Sequence, residues 1–408
     1  MRTKVQLYFT IIILFSVTAT SFTQIDDKSL TPHRIMLNIT EDPAASIAVT
    51  WRTIKEVKQP QVRIAKSTGW IEFENNLSSI TAKTENVILL DSTKVFHYSV
   101  VVKDLQPNTL YIYCVGGDSV WSEWNQFRTA KEDNSPFTFT YFGDMQHDIK
   151  KFGSRVFRKA LTLSPNSNFW LFSGDLLDRA EYDCQWNEFF QASGFITAVM
   201  PCVLATGNHE YADTVINGTE VETLVELWRH HVTQPTSKID GLSETVFSFI
   251  YQGVRFIVLN GNEKLEEQSA WLEKVLTENK SLWTIVTIHQ PIYSMGKKRD
   301  QRKTKNAFLH LFDKYNVDLV LQGHDHVYAR THKLKNDKIV RDNESGTVYI
   351  TSNSGSDDYN IQSINSYMTF KHSNKAQLFQ IISIDSNKLQ MCSYTATGEL
   401  YDNFELIK

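Results

Sequence analysis

The 408-residue chain is poor in the residues that mark several protein classes. Four cysteines are too few for a scaffold built from disulfides. Only 17 glycines and 9 prolines exclude collagen-like and low-complexity chains. A hydrophobic content of 41% excludes intrinsic disorder. Positive charge is not in surplus: 42 Lys and Arg stand against 46 Asp and Glu, a net charge of −4. Proteins that coat polyanions usually carry a basic excess, so no nucleic-acid polymer is expected as a partner. Long apolar runs are missing too. The one at residues 7–17 falls short of the roughly 20 residues that a spanning helix needs, so no membrane span is expected.

That run has a specific setting. Arg2 and Lys4 precede it, and Ala19, Thr20 and Ser21 follow it. Basic, apolar, then small is the order of a secretory signal peptide. Residues 1–23 are read as that signal peptide, which makes the protein secreted, extracellular or periplasmic. Loss of Arg2 and Lys4 takes the net charge from −4 to −6. Export permits disulfides, but Cys114, Cys184, Cys202 and Cys392 allow three pairings and their spacing selects none. Glycosylation sequons stand at Asn38, Asn76, Asn217, Asn279 and Asn343.

Residues 29–129 read as short strands separated by turns. Residues 46–51 (SIAVTW), 96–102 (FHYSVVV) and 110–115 (LYIYCV) alternate with period two. This spacing predicts a β-sandwich. Residues 105–113 resemble the end of a fibronectin type III-like domain, in which a Tyr buries its ring and ties its hydroxyl to nearby backbone. A polar stretch at 130–136 (AKEDNSP) marks a boundary. Beyond it, apolar strands alternate with helical stretches at 155–163, 266–278 and 305–315, which predicts an α/β domain.

Five motifs sit behind apolar runs in this second part: Gly143-Asp144, Gly174-Asp175, Gly207-Asn208-His209-Glu210, His289-Gln290-Pro291 and Gly323-His324-Asp325-His326. Strand carboxyl ends gather in one crevice of an α/β sheet. Two Asp, one Asn and four His therefore converge. Carboxylate, amide oxygen and imidazole suit Zn, Fe or Mn. Glycine before each ligand is expected to let the chain turn as the strand ends. A carboxylate can bridge two ions, and such a pair can clamp a phosphoryl displacement.

These motifs resemble the calcineurin-like metallophosphoesterases and, among them, the purple acid phosphatases. The likeness spans residues 136–406, and the sandwich before it is similar to the N-terminal domain of the larger members. GNHE and GHDHVYAR are its most specific segments. The resemblance implies an α/β catalytic domain at 136–408, a β-sandwich core flanked by helices, preceded by an all-β fibronectin type III-like domain at 29–129. It implies a binuclear phosphatase that hydrolyses small phosphate monoesters by attack of a metal-bound hydroxide, with Fe, Zn or Mn as the two ions. Asp144 and His326 would bind the first ion, and Asp175 would bridge. Asn208, His289 and His324 would bind the second, and His209 would act as general acid. Tyr328 and Arg330 would be structural.

The chain departs from the family pattern at three places. The Tyr whose phenolate gives the purple iron centre is replaced by Asp178. The His found in other members two residues after the first Asp is Gln146. Gln146 and Asp178 are both candidates to fill the gap through oxygen, as is water, and His147 is a third candidate at a spacing that departs from the motif. Where purple acid phosphatases often carry a His pair, this chain has Lys298 and Arg299, inside the basic run 296–305 (GKKRDQRKTK), candidates to bind substrate. A phosphodiesterase or nucleotide pyrophosphatase of the same fold is an alternative reading, and an inactive phosphatase-like binding protein is another. His33, His97, His230 and His231 stand outside any motif and are expected at the surface or in supporting positions.

Overall fold

The computed structural model describes residues 28–216, 218–295, 301–358, 366–371 and 375–408. The expected signal peptide, Asn217, Lys298 and Arg299 lie outside the described residues.

Period-two alternation sorts the side chains into layers. In the strand Phe137–Phe142, Phe137, Phe139 and Tyr141 enter one buried cluster and Phe142 enters another. In Val254–Leu259, Val254, Phe256 and Val258 join the first cluster, whereas Ile257 and Leu259 join a third. The first cluster fills the space between two sheets. The second lies under the helices Ser154–Leu163 and Asp183–Ser193, and the third under Leu265–Glu278 and Arg302–Tyr315. Both faces of these strands are buried, which is why they read as nearly continuous apolar runs such as WTIVTI.

The topology brings the motifs to a common rim. Phe137–Phe142, Trp170–Phe172 and Cys202–Leu204 run parallel in one sheet. Val254–Leu259, Trp283–Ile288 and Leu319–Gln322 run parallel in the facing sheet. Three motifs thus follow strands of one sheet and two follow strands of the other. A parallel bridge between Asp144 and Asn353 joins the sheets where they meet.

The N-terminal part is a β-sandwich with Trp51, Val62, Ile64, Tyr98, Tyr113 and Phe127 in its core. The Tyr111 hydroxyl accepts the Gln106 N–H at 2.8 Å, the local tie expected for this segment. The Tyr113 hydroxyl instead reaches the carbonyl of Ala198, at 2.6 Å, in the second part of the chain. The strand His33–Asn38 pairs in parallel with Cys202–Leu204, so a single ten-stranded sheet runs through both parts.

That continuity changes two readings. Asn38 is fully buried, donates to the Cys202 carbonyl and accepts the Thr233 N–H, so its sequon is closed to a glycan in the folded chain. Asn76 and Asn343 are exposed. His97, His230 and His231 are not surface residues: they are buried at the seam between the two parts, next to Arg34 and Arg52. All four cysteines are free thiols. No helix among the described residues is long and apolar enough to cross a membrane.

Candidate metal centre

The rim gathers the six expected ligands into one cluster. Asp144, Asp175, His289, His324 and His326 are buried, and Asn208 is half-buried. Asp175, His289 and His324 present ligand atoms within 4.8 Å of one another, and so do Asp144, Asp175 and His326. Asp175 is common to both groups. His289 Nε2 lies 3.0 Å from Asp175 Oδ2, and His326 Nε2 lies 3.7 Å from Asp144 Oδ1. Asn208 Oδ1 stands 2.8 Å from His324 Nδ1, which is 3.2 Å from His289 Nε2.

Backbone contacts hold these side chains in place. His289 Nδ1 donates to the Ser173 carbonyl at 3.0 Å, which leaves Nε2 facing the cluster. Asp144 accepts the His324 N–H, and Asp175 accepts the His209 N–H at 2.9 Å. Asp175, His324 and His326 have φ of 47°, 72° and 49°. Left-handed backbone costs about 1–2 kcal/mol for a residue with a side chain, so three expected ligands sit in conformations that the fold imposes.

The glycines act differently from the expectation. A Cβ on Gly207 would stand 2.1 Å from Asp175 Oδ1, and one on Gly174 would stand 2.6 Å from Gly207 N. Of the four motif glycines, only Gly174 has a left-handed φ, of 99°. Their main service is clearance between motifs, with sharp turning at one position only.

Electrostatics fit a cationic occupant. Burial pushes the Asp144 carboxyl up to about 7, against the pull of His289. Glu210 is likewise pushed to about 7 by burial and by the charge on Asp175. Burial would also raise Asp175, but His289 and His209 hold it below the usual carboxylate range. His289, although buried, is pushed up to about 9 by Asp175, Asp144 and Glu210. Buried carboxylates in this number need positive charge beside them. Their oxygens and the imidazoles form a donor set suited to two cations that share Asp175.

His209 stands at the open side. Its Nδ1–H donates to the Asp178 carbonyl at 2.5 Å, and its Nε2 lies 3.9 Å from Asp175 Oδ2. A cavity of about 890 Å³ opens there, walled by Asp178, Tyr182, the hairpin Tyr211–Ile216/Thr219–Leu224, and Ile88 and Leu90 of the sandwich. Lys298 and Arg299 belong to the segment outside the described residues. The next residue, Gln301, places its amide 2.8 Å from His324 Nε2. Lys305, from the same basic run, pairs with Asp337 at 2.5 Å.

Several supporting residues escaped the sequence reading. Glu210 accepts the N–H groups of Gly207, Asp175 and Leu176, and so locks two motifs together. Its place in GNHE was the available signal. Asn262 donates to the Gly207 carbonyl and accepts from Gln290, and nothing in its sequence context announced it. Tyr328 and Arg330 are structural, as the resemblance implied: both bind Asp402, Arg330 through two nitrogens.

Comparison with known proteins agrees with this geometry. Residues 32–129 match the family model described as "Purple acid Phosphatase, N-terminal domain", and residues 137–328 match "Calcineurin-like phosphoesterase". The chain is a purple acid phosphatase-like member of the calcineurin-like phosphoesterases. It is thus a metal-dependent phosphoric ester hydrolase. Among its relatives, "Probable purple acid phosphatase 20" of Arabidopsis thaliana is 26% identical over 75% of this chain and 70% of its own length. "Phosphoenolpyruvate phosphatase" of Allium cepa is 25% identical over 79% of this chain and 67% of its own. The solved structure of purple acid phosphatase PPD1 from yellow lupin shares the fold, with a TM-score of 0.76 at 19% identity, over 92% of this chain and 74% of that one.

Proposed function

We propose that the enzyme hydrolyses phosphate monoesters of small molecules, and does so after export. One observation carries the reading: Asp175 belongs to two ligand groups, and His209 turns Nε2 toward it from the open side across 3.9 Å. Asp144, Asp175 and His326 would hold one ion, and Asp175, Asn208, His289 and His324 the other. Such ions acidify water and neutralise charge on phosphoryl oxygens. The chain's own contributions are positional and protonic. Asp175 sets the relation of the two groups. His209, with Nδ1–H engaged by the Asp178 carbonyl, keeps Nε2 for the leaving oxygen and delivers a proton to it. Lys298 and Arg299 would meet the anionic end of the substrate, an idea favoured by the contact of neighbouring Gln301 with His324. Export is supported by the basic–apolar–small order of the first 23 residues, which also leaves 29–129 and 136–408 as the two domains of the mature chain.

The test is an aryl phosphate monoester against the corresponding diester, with Mn, Zn or Fe added and bound metal counted on the same sample. Monoester turnover should dominate. Asp175→Asn should lose both turnover and metal. His209→Ala should lower kcat by about 10²–10⁴ with metal content unchanged. Arg299→Ala should raise KM and leave kcat alone. Dominant diester turnover would replace the monoester reading, and absence of both turnover and bound metal would sink it.

A further inference from the structure

Gln146 is 1% exposed, and its side-chain oxygen meets no hydrogen-bond partner. A buried amide oxygen left unpaired costs about 1–3 kcal/mol, so its position calls for a cause beyond folding. The other end of the amide lies 3.1 Å from His326 Nε2 and 3.3 Å from His147 Nε2. The two ends of a glutamine amide are told apart only by their partners. His326 Nε2 is the ring atom that faces Asp144, and in an ion-holding group its lone pair points at the ion. An amide N–H directed at that lone pair would compete with the ion. Turned over, the same amide sets its oxygen about where its nitrogen now stands; the far end stays unpaired, so what the turn gains is the contact with the ion. Around an octahedral ion such as Mn, two donors each about 2.1 Å from it and at about 90° to each other are about 3.0 Å apart. The 3.1 Å spacing matches this arrangement.

The backbone is prepared for the role. Met145 N and Gln146 N both donate to the Asp175 carbonyl, at 3.0 and 3.2 Å, so Gln146 is anchored to the shared ligand's own residue. Asp178, the other candidate, is turned elsewhere. Its carboxylate lies 3.4 Å from His147 Nδ1 and 3.6 Å from His209 Nδ1, on the open side.

We propose that Gln146 is a ligand, through its side-chain oxygen, of the ion held by Asp144, Asp175 and His326, and that this neutral donor tunes the position for a divalent ion. The inference rests on the two-ion reading above. A phenolate would bring a negative charge to the ion, whereas the amide brings none, and ligand charge count sets which ions a site retains.

The experiment counts metal rather than turnover. The metal-stripped chain is titrated with Mn²⁺, and the ions retained are measured by elemental analysis, with the unfolding midpoint as a check of fold. The unaltered chain should hold two ions. Gln146→Leu, similar in volume but without a donor, should hold one, with the second bound at least tenfold more weakly. Gln146→His should restore two. Asp178→Ala should keep two. Should Gln146→Leu not fold, Gln146→Asn, which withdraws the oxygen by one methylene, carries the same expectation. Iron-loaded protein should show no phenolate-to-iron absorption in the visible. Two ions in the unaltered chain and two, equally tight, in the Gln146 variant would overturn the ligand assignment alone. Fewer than two in the unaltered chain would overturn the two-ion reading and this inference with it.

Discussion

Glu210 shows how one buried carboxylate can align a site it does not enter. It is fully buried, and it accepts N–H groups from Gly207, Asp175 and Leu176 at 2.6, 2.9 and 2.8 Å. Glu210→Gln would set an amide N–H against one of those three donors. Leaving a buried donor unpaired costs about 1–3 kcal/mol. Misplacing a group that orients ligands typically costs 10–100-fold in metal affinity. We expect a lower unfolding midpoint and a metal titration weakened by about that factor. A variant with unaltered metal affinity would show that Asn262 and Gln290 suffice to hold the loops. The letters GNHE marked Glu210 as part of a motif, but two of its three partners lie about 35 positions upstream, and only the fold brings them within reach.

Strand ends carry the centre, and the crowding between them decides what may follow each strand. Gly207 stands against the bridging position: a Cβ there would meet Asp175 Oδ1 at 2.1 Å, far inside contact distance. Gly207→Ala should therefore push the Asp175 carboxylate aside and weaken both ions together, read as a fall in bound metal with the β-sheet circular dichroism retained. Gly69→Ala, where nothing lies within 4 Å, should change neither quantity and serves as the control. Loss of metal affinity in both variants, or in neither, would reject the clearance argument. The apolar strands and the residues that follow them were readable because burial on both faces writes itself as an apolar run, and because ligand chemistry restricts the residue types. The partition of the motifs between two sheets was not readable, since parallel pairing leaves no mark on either strand. The single service expected of glycine was misjudged for the same reason: the atom that excludes a side chain at Gly207 belongs to Asp175, on another strand end.

At the scale of the whole molecule, the seam between sandwich and catalytic part is where pH should act. His97 is buried there, with Nδ1 3.2 Å from the His230 carbonyl and its ring 4.6 Å from that of His231. His231 stacks on Trp186 at 4.1 Å and lies 3.2 Å from Arg34 Nη1. Arg34 and Arg52 both pair with Asp183, while Glu85, which also pairs with Lys83, and Glu226 approach His230 at 3.7 and 3.4 Å. The interior of the seam thus has two guanidinium groups facing one carboxylate, a poor setting for further positive charge. Burial, with neighbouring His and Arg charges, holds His97 and His231 well below the usual 6.5, and burial with Arg52 lowers His33 to about 4. The sign follows from linkage. Below about 6.5 the unfolded chain takes up protons that the folded chain refuses, so stability is full above that pH and falls as the pH drops toward 4. A tenfold difference in proton affinity between the two states corresponds to about 1.4 kcal/mol. The seam's share of the stability should therefore decline between pH 7 and pH 4.5, against the opposite pull of Asp144, Glu210 and Glu244, which burial raises to about 7. His97→Asn keeps a donor for the His230 carbonyl but cannot titrate, and it should make that decline shallower. Equal slopes of the unfolding midpoint against pH in the two chains, measured at matched metal content, would remove His97 from the account and leave the decline to His231 and His33.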